Sequence, residues 1–198
     1  MKLEYAPSRG RTKAVSGPIT VSDADYPVSG GSITVPVTMN AAAGHHLTVT
    51  PSGTATSPAG RCQITNRNSG LALDTSRAGT AQGTAVVQAT ATTGTDQNWT
   101  LVAAGSGLYK IRQQASGLLL GITDAGTGAG GTAPIWGDNG TAGHLWQLGP
   151  SGDGYYEIAN YNGGLLPGVT AMSTSAVAQV LQWDDNGTAD HLWTLTAR

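Results

Sequence analysis

The chain has 198 residues, a formal net charge of −2 at pH 7, 11 % charged residues, and 29 glycines with 9 prolines. So sparse a charge excludes a mode of action based on neutralising nucleic-acid phosphates, and the recurring Val, Ile, Leu and Trp argue against intrinsic disorder. Nothing approaches eighteen consecutive apolar residues, so no helical membrane insertion is expected.

The first ten residues, MKLEYAPSRG, contain no apolar stretch and do not read as a signal peptide. The chain is then either cytosolic or a piece of a longer exported protein. Residues 1–60 carry strand-like runs, PITVSDADYPV, GSITVPVTM and HHLTVTP, divided by Ser, Gly and Pro. Sixty such residues without a disulfide would be marginal as an independent domain, so they are expected to be a partial β-sandwich. Residues 50–60, TPSGTATSPAG, read as its linker.

From residue 61 onward one interval governs the sequence. Trp99, Trp146 and Trp193 stand 47 residues apart, as do Gly70, Gly117 and Gly164, and Ile64, Ile111 and Ile158. Trp136 and Trp183 obey the same spacing, so one period accounts for all five tryptophans. Each unit opens on a short strand (RCQITN, LYKIRQ, YYEIAN), turns at NSG, ASG or NGG, and continues into LALD, LLLG or LLPG. After a Gly/Ala/Thr-rich loop come AVVQA, APIW or VLQW, and each unit closes on Trp-x-Leu. The Asn-Gly dipeptides at 139–140 and 186–187 suggest tight hairpin turns. Short strands with no helical period predict an all-β fold, and three units that cannot bury an apolar face singly can close around a shared core.

Each unit ends in a Gln-x-Trp-like triplet, Gln97-Asn98-Trp99, His144-Leu145-Trp146 and His191-Leu192-Trp193, the last two with His in place of Gln. With the threefold repetition, this resembles the ricin B-type β-trefoil lectin family over residues 61–198. The stretches NSGLALD and VLQWDDNGTADHLW are similar to modules appended to secreted bacterial polysaccharide-degrading enzymes. The resemblance implies a pseudo-threefold β-trefoil of twelve strands, preceded by the small β-sandwich fragment, with up to three shallow sugar sites. It also implies export and an attached catalytic domain. The chain departs from the family pattern at several places. The Asp after the second strand is present as Asp74 but replaced by Gly121 and Gly168, and Ala89 stands where Trp136 and Trp183 provide an aromatic.

A sugar site needs a flat apolar plate and a few fixed polar groups. Trp136 and Trp183 are the candidate plates; the competing reading is ordinary packing. Ala89 at the matching position favours a plate, because truncating a core Trp would cost about 3–5 kcal/mol. Trp99, Trp146 and Trp193 read as core pillars. The candidate polar groups are Asp138, Asn139 and His144 beside Trp136, and Asp185, Asn186, Asp190 and His191 beside Trp183. Asp74, Asp96 and Gln97 belong to the first unit, and Asp124 is a substitute for the missing Asp of the second. The Asp-Asn pairs serve equally well as turn chemistry, and Gln97, His144 and His191 as backbone anchors. Strand alternation in VLQW groups Val180 with Gln182 and Leu181 with Trp183. A buried Val180 would draw Gln182 inward unless a bulge intervenes or its amide bonds backbone.

Catalytic, metal and cofactor sites are not expected. Glu4 and Glu157 fall in different expected domains, and no G-x-S-x-G elbow is present. His45-His46 lacks a third ligand nearby, and Asp23-Ala-Asp25 meets Pro27 and Val28 where a calcium loop needs oxygen and Gly. The expected function is non-catalytic carbohydrate binding, directing an attached enzyme to its substrate. The alternatives are a structural or protein-interaction trefoil with decayed sugar sites, or the tail of a glycoside hydrolase whose catalytic domain lies elsewhere.

Overall fold

The computed structural model describes residues 60–198 and, upstream of them, the backbone of four three-residue strands. The chain divides into two compact units, residues 1–57 and 58–198. In the first, β1 (Ile19–Val21) pairs antiparallel with β2 (Ile33–Val35), and β3 (Val37–Met39) with β4 (Leu47–Val49). The sandwich packing expected there, Asp23-Ala-Asp25 and His45-His46 all lie outside the described residues.

The second unit is built of twelve strands and short 3-10 turns. The first repeat supplies β5 (Gly60–Asn66), β6 (Ala72–Thr75), β7 (Val86–Ala89) and β8 (Trp99–Gly105). The second supplies β9 (Leu108–Gln113), β10 (Leu119–Leu120), β11 (Ile135–Trp136) and β12 (Trp146–Gly152). The third supplies β13 (Tyr155–Asn160), β14 (Leu166–Val169), β15 (Val180–Trp183) and β16 (Leu192–Ala197). Six of these close a ring, β5–β8–β9–β12–β13–β16 and back to β5, every pair antiparallel. Closure leaves the ring without an exposed edge. The pairs β6–β7, β10–β11 and β14–β15 form three hairpins. Single bridges tie them into a second cyclic set, Ala85 to Pro134, Thr132 to Leu181 and Gln179 to Val87. The architecture is a β-trefoil.

The period of 47 is the rotation of this fold written along the chain. Trp99, Trp146 and Trp193 are buried, and each indole Nε1 donates to a carbonyl 26 residues earlier, Leu73, Leu120 or Pro167, at 3.0 Å. Ile64, Ile111 and Ile158 share that core with Val86, Ala133 and Val180. The first turn of each unit needs a left-handed residue, and Gly70, Gly117 and Gly164 supply φ of 69°, 73° and 72°.

The face of VLQW is decided by Gln182. Val180 and Gln182 are buried and Trp183 is exposed, with β14 and β15 in unbroken register from Leu166–Trp183 to Val169–Val180. No bulge is needed because the Gln182 amide donates to the carbonyls of Gly126 and Gly128 at 2.9 and 2.8 Å. Gln88, its counterpart in the first repeat, donates to Ser173 and Ser175 at 2.8 Å each. Each glutamine thereby pins the loop of a neighbouring repeat; Ile135 occupies the middle position.

The Asn-Gly expectation is corrected. These dipeptides do not join paired strands: they lead from β11 and β15 into 3-10 turns at Ala142–His144 and Ala189–His191. Positive φ falls on Gly140 and Gly187 and not on the asparagines, as a tight two-residue hairpin would require. The side chains close Asx turns instead.

Candidate functional site

Strand alternation that buries Ile135 turns Trp136 outward, and its indole is 43 % exposed. It forms one wall of a cleft of about 660 Å³ in the second repeat, with Asp124, Asn139, Thr141 and His144 around it. Gly83 and Ala85 of the first repeat complete the wall, so the cleft lies at a repeat junction. Three of the four polar candidates of this repeat, His144, Asn139 and Asp124, thus meet around one plate. Asp124 is exposed and left-handed (φ 54°), a conformation Asp tolerates better than most residues. Asn139 is committed to its turn, its Oδ1 accepting from Thr141 N at 3.0 Å and from the Thr141 hydroxyl at 2.7 Å.

Asp138 is drawn away from the cleft. It pairs with Lys110 at 2.5 Å and accepts from Gly140 N at 3.1 Å. The Lys110 bond, followed by that backbone N–H, holds its carboxyl below the usual range. His144 is buried at 4 % exposure, and burial lowers its basicity, so the ring is neutral at pH 7.

The third repeat keeps the plate and alters its surroundings. Trp183 is 40 % exposed, but Asp190 and His191 are buried. Asp190 Oδ1 accepts from the Thr188 hydroxyl at 2.5 Å, and its Oδ2 lies 3.7 Å from His191 Nε2. Asp190, expected to accept from a sugar hydroxyl, is thus buried with its Oδ1 engaged by Thr188. Asp185 and Asn186 accept from Gly187 N and Thr188 N, repeating the turn of the second repeat.

In the first repeat the polar pair is intact and internally occupied. Asp74 Oδ2 accepts from Gln97 Nε2 at 2.9 Å and Oδ1 from Thr75 N at 2.6 Å; burial raises its pKa. Gln97 also donates to Thr90 O and accepts from Thr92 N and Gln63 Nε2. Asp96 is half-buried, and its backbone carbonyl accepts from Gln113. No aromatic stands over this set, because the plate position is Ala89.

The family model for ricin-type beta-trefoil lectin domain-like proteins matches residues 48–136 and 142–198. The chain belongs to this ricin-type β-trefoil family. Among solved structures, the designed threefold-symmetric protein ThreeFoil is 33 % identical with a TM-score of 0.69, covering 70 % of this chain and 99 % of its own. The exo-β-1,3-galactanase 1,3Gal43A from Clostridium thermocellum is 26 % identical with a TM-score of 0.69; the match covers 84 % of this chain and 38 % of the galactanase. The ricin B-like lectin of Macrolepiota procera, solved with lactose, is 19 % identical with a TM-score of 0.60, covering 70 % and 95 %. A comparison with curated proteins finds no match. A lectin-type trefoil is a binding fold, which points to a non-catalytic domain and to carbohydrate as the class of ligand.

Within this ricin-type trefoil, sequence reasoning missed the residues beneath the plates. A Cβ on Gly83 would stand 3.3 Å from the Trp136 indole, and one on Gly130 3.8 Å from that of Trp183. The signal was present: Gly83 and Gly130 obey the 47-residue interval, and Val177 takes the third position. Gln88 and Gln182 were findable in the same way, with Ile135 between them.

Proposed function

We propose that this chain is a non-catalytic carbohydrate-binding module that stacks sugar rings on Trp136 and Trp183 and holds an attached, exported enzyme at its polysaccharide substrate. The observation that carries the reading is the division of the five tryptophans. Three are buried and bonded to backbone carbonyls, whereas two are exposed at threefold-related positions with no packing need for an indole. Exposed indoles offer the C–H face of a sugar ring a flat apolar surface, and the cleft around Trp136 adds hydroxyl-binding groups. One such site would bind near 1 mM, about −4 kcal/mol. Two on a polymer gain through effective concentration.

Galactose-containing glycans are the first panel to test. The Macrolepiota lectin was solved with lactose, and the Clostridium thermocellum neighbour is named as a galactanase. The test is a glycan and polysaccharide binding screen on the intact chain beside Trp136→Ala and Trp183→Ala. Binding lost on Trp136→Ala and weakened on Trp183→Ala supports the module; binding retained by the double variant refutes stacking at these residues. The internal engagement of Asp74 and Gln97 favours a second reading for the first repeat alone, as a structural trefoil lobe whose sugar site has lapsed.

A further inference from the structure

The three repeats handle one volume in two ways. In the first, Asp74 and Gln97 share it as a hydrogen-bonded pair. In the second and third, the carboxylate position is Gly121 or Gly168, and the glutamine position is His144 or His191. A Cβ built on Gly121 would fall against the Cδ2–Nε2 edge of His144, 2.5 Å from Nε2. One on Gly168 would meet the same edge of His191, also 2.5 Å from Nε2. The imidazole as placed therefore fills the space a carboxylate at the glycine position would need.

The tautomer follows from burial. Nδ1 of both His144 and His191 is buried with no hydrogen-bond partner. A buried N–H without an acceptor is rarer and costlier than a buried bare lone pair, so the neutral His144 ring carries its proton on Nε2, and Nε2 is the atom of His191 placed to donate. In the third repeat that Nε2–H faces a carboxylate, Asp190 Oδ2 at 3.7 Å. In the second repeat the equivalent of Asp190 is Gly143, which supplies no carboxylate and where a Cβ would stand a tight 3.0 Å from Ala125. His144 thus carries the donor that His191 carries, lines the open cleft, and lacks the acceptor. The charged groups around it are Asp138 and Lys110, paired to each other, and Asp124 in the cleft wall.

We propose that the Nε2–H of His144 is the polar floor of the repeat-2 cleft and donates to an oxygen of the bound sugar, so that this site presents a hydrogen-bond donor where the first repeat carries a carboxylate acceptor. The ligand oxygen it takes is used as an acceptor, and the ligand's hydroxyl protons are received at the rim by Asp124. This rests on the carbohydrate-binding reading, and the experiment separates the two. Nitrogen-15 correlation spectra of the intact chain report the tautomer without any ligand: Nε2–H is expected for His144, and an Nδ1–H tautomer overturns the proposal.

Binding is then compared for the wild type, Trp136→Ala, His144→Leu and the exchange Gly121→Asp/His144→Gln, which rebuilds the floor of the first repeat. The panel consists of any sugar found to bind and its O-methyl and deoxy congeners. Expected is a tenfold or greater loss in both His144 variants, with folding confirmed by denaturation. At one ligand position an O-methyl group, which keeps the acceptor, should be tolerated where the deoxy compound fails. Unchanged affinity in His144→Leu and in the exchange, with binding lost in Trp136→Ala, overturns the donor floor and leaves the lectin reading intact. A wild type that binds no sugar overturns both, and the spectra still decide the tautomer.

Discussion

Trp136 rests on Gly83 of the preceding repeat, a residue at φ 83° whose absent side chain leaves the space the indole uses. Gly130 lies at the equivalent place beneath Trp183, at the same φ of 83°, where a Cβ would touch the indole at 3.8 Å. At the third equivalent place the pair is Ala89 and Val177. Val177 is left-handed at φ 63° and 72 % exposed, an unfavourable conformation for a β-branched residue. Plate and glycine are present together or absent together. An indole laid on a Val in that position would meet its side chain.

This pairing predicts a gain of function. Ala89→Trp with Val177→Gly should create a third exposed plate, seen as an additional acrylamide-quenchable indole and stronger retention on any polysaccharide the protein binds. Ala89→Trp alone should be less stable than the double variant, with a coupling in the range of about 0.5–3 kcal/mol from a denaturation cycle. Additive effects of the two changes would contradict the pairing.

The three buried indoles act as hydrogen-bonded pillars. Trp99→Phe removes the donor to Leu73 O and leaves that carbonyl unpaired in the core, at a cost of about 1–3 kcal/mol before any loss of packing. Trp146→Phe and Trp193→Phe, with the same 3.0 Å geometry, should cost similar amounts in urea denaturation.

Gln88→Leu tests the inter-repeat tie. The substitution keeps the buried volume but strips both Ser173 and Ser175 carbonyls of their donor. Amide exchange should quicken across residues 173–177 of the third repeat, with little change in the hairpin of the second. Protection unaltered in that loop would mean the glutamine is merely buried filler.

The acid response has a defined sign. Burial lowers the His144 pKa from 6.5, so below pH 6.5 the unfolded chain takes up a proton that the folded chain resists. Its contribution to stability is complete above pH 6.5 and is lost as pH falls toward the folded value. Asp74, raised from 3.8 chiefly by burial, acts oppositely: the folded chain holds the proton more readily above pH 3.8, so its contribution improves on acidification. His144→Gln should therefore flatten the change in denaturation midpoint between pH 7 and pH 5.5, and Asp74→Asn should steepen any loss that remains below pH 5.

Much of the fold is legible in the sequence because a rotation repeated three times leaves a period that side-chain chemistry cannot disguise. The interval of 47 links residues that occupy equivalent places, so the core pillars, the Gly turns and the two surplus indoles are all read from spacing. The order of the strands follows from the same comparison. The face of VLQW was not decided by local alternation, because the buried partners of Gln182 are carbonyls 54 and 56 residues away. Likewise Asp138, Asn139 and Asp190 carry the right chemistry for a sugar site, and their neighbours alone determine whether their oxygens are free. Lys110 takes Asp138, Thr141 takes Asn139 and Thr188 takes Asp190. Period and composition determined that three equivalent sets of positions exist. Tertiary structure decided their differences, because a glycine opposite a histidine or an indole is meaningful only when the fold brings them into one volume.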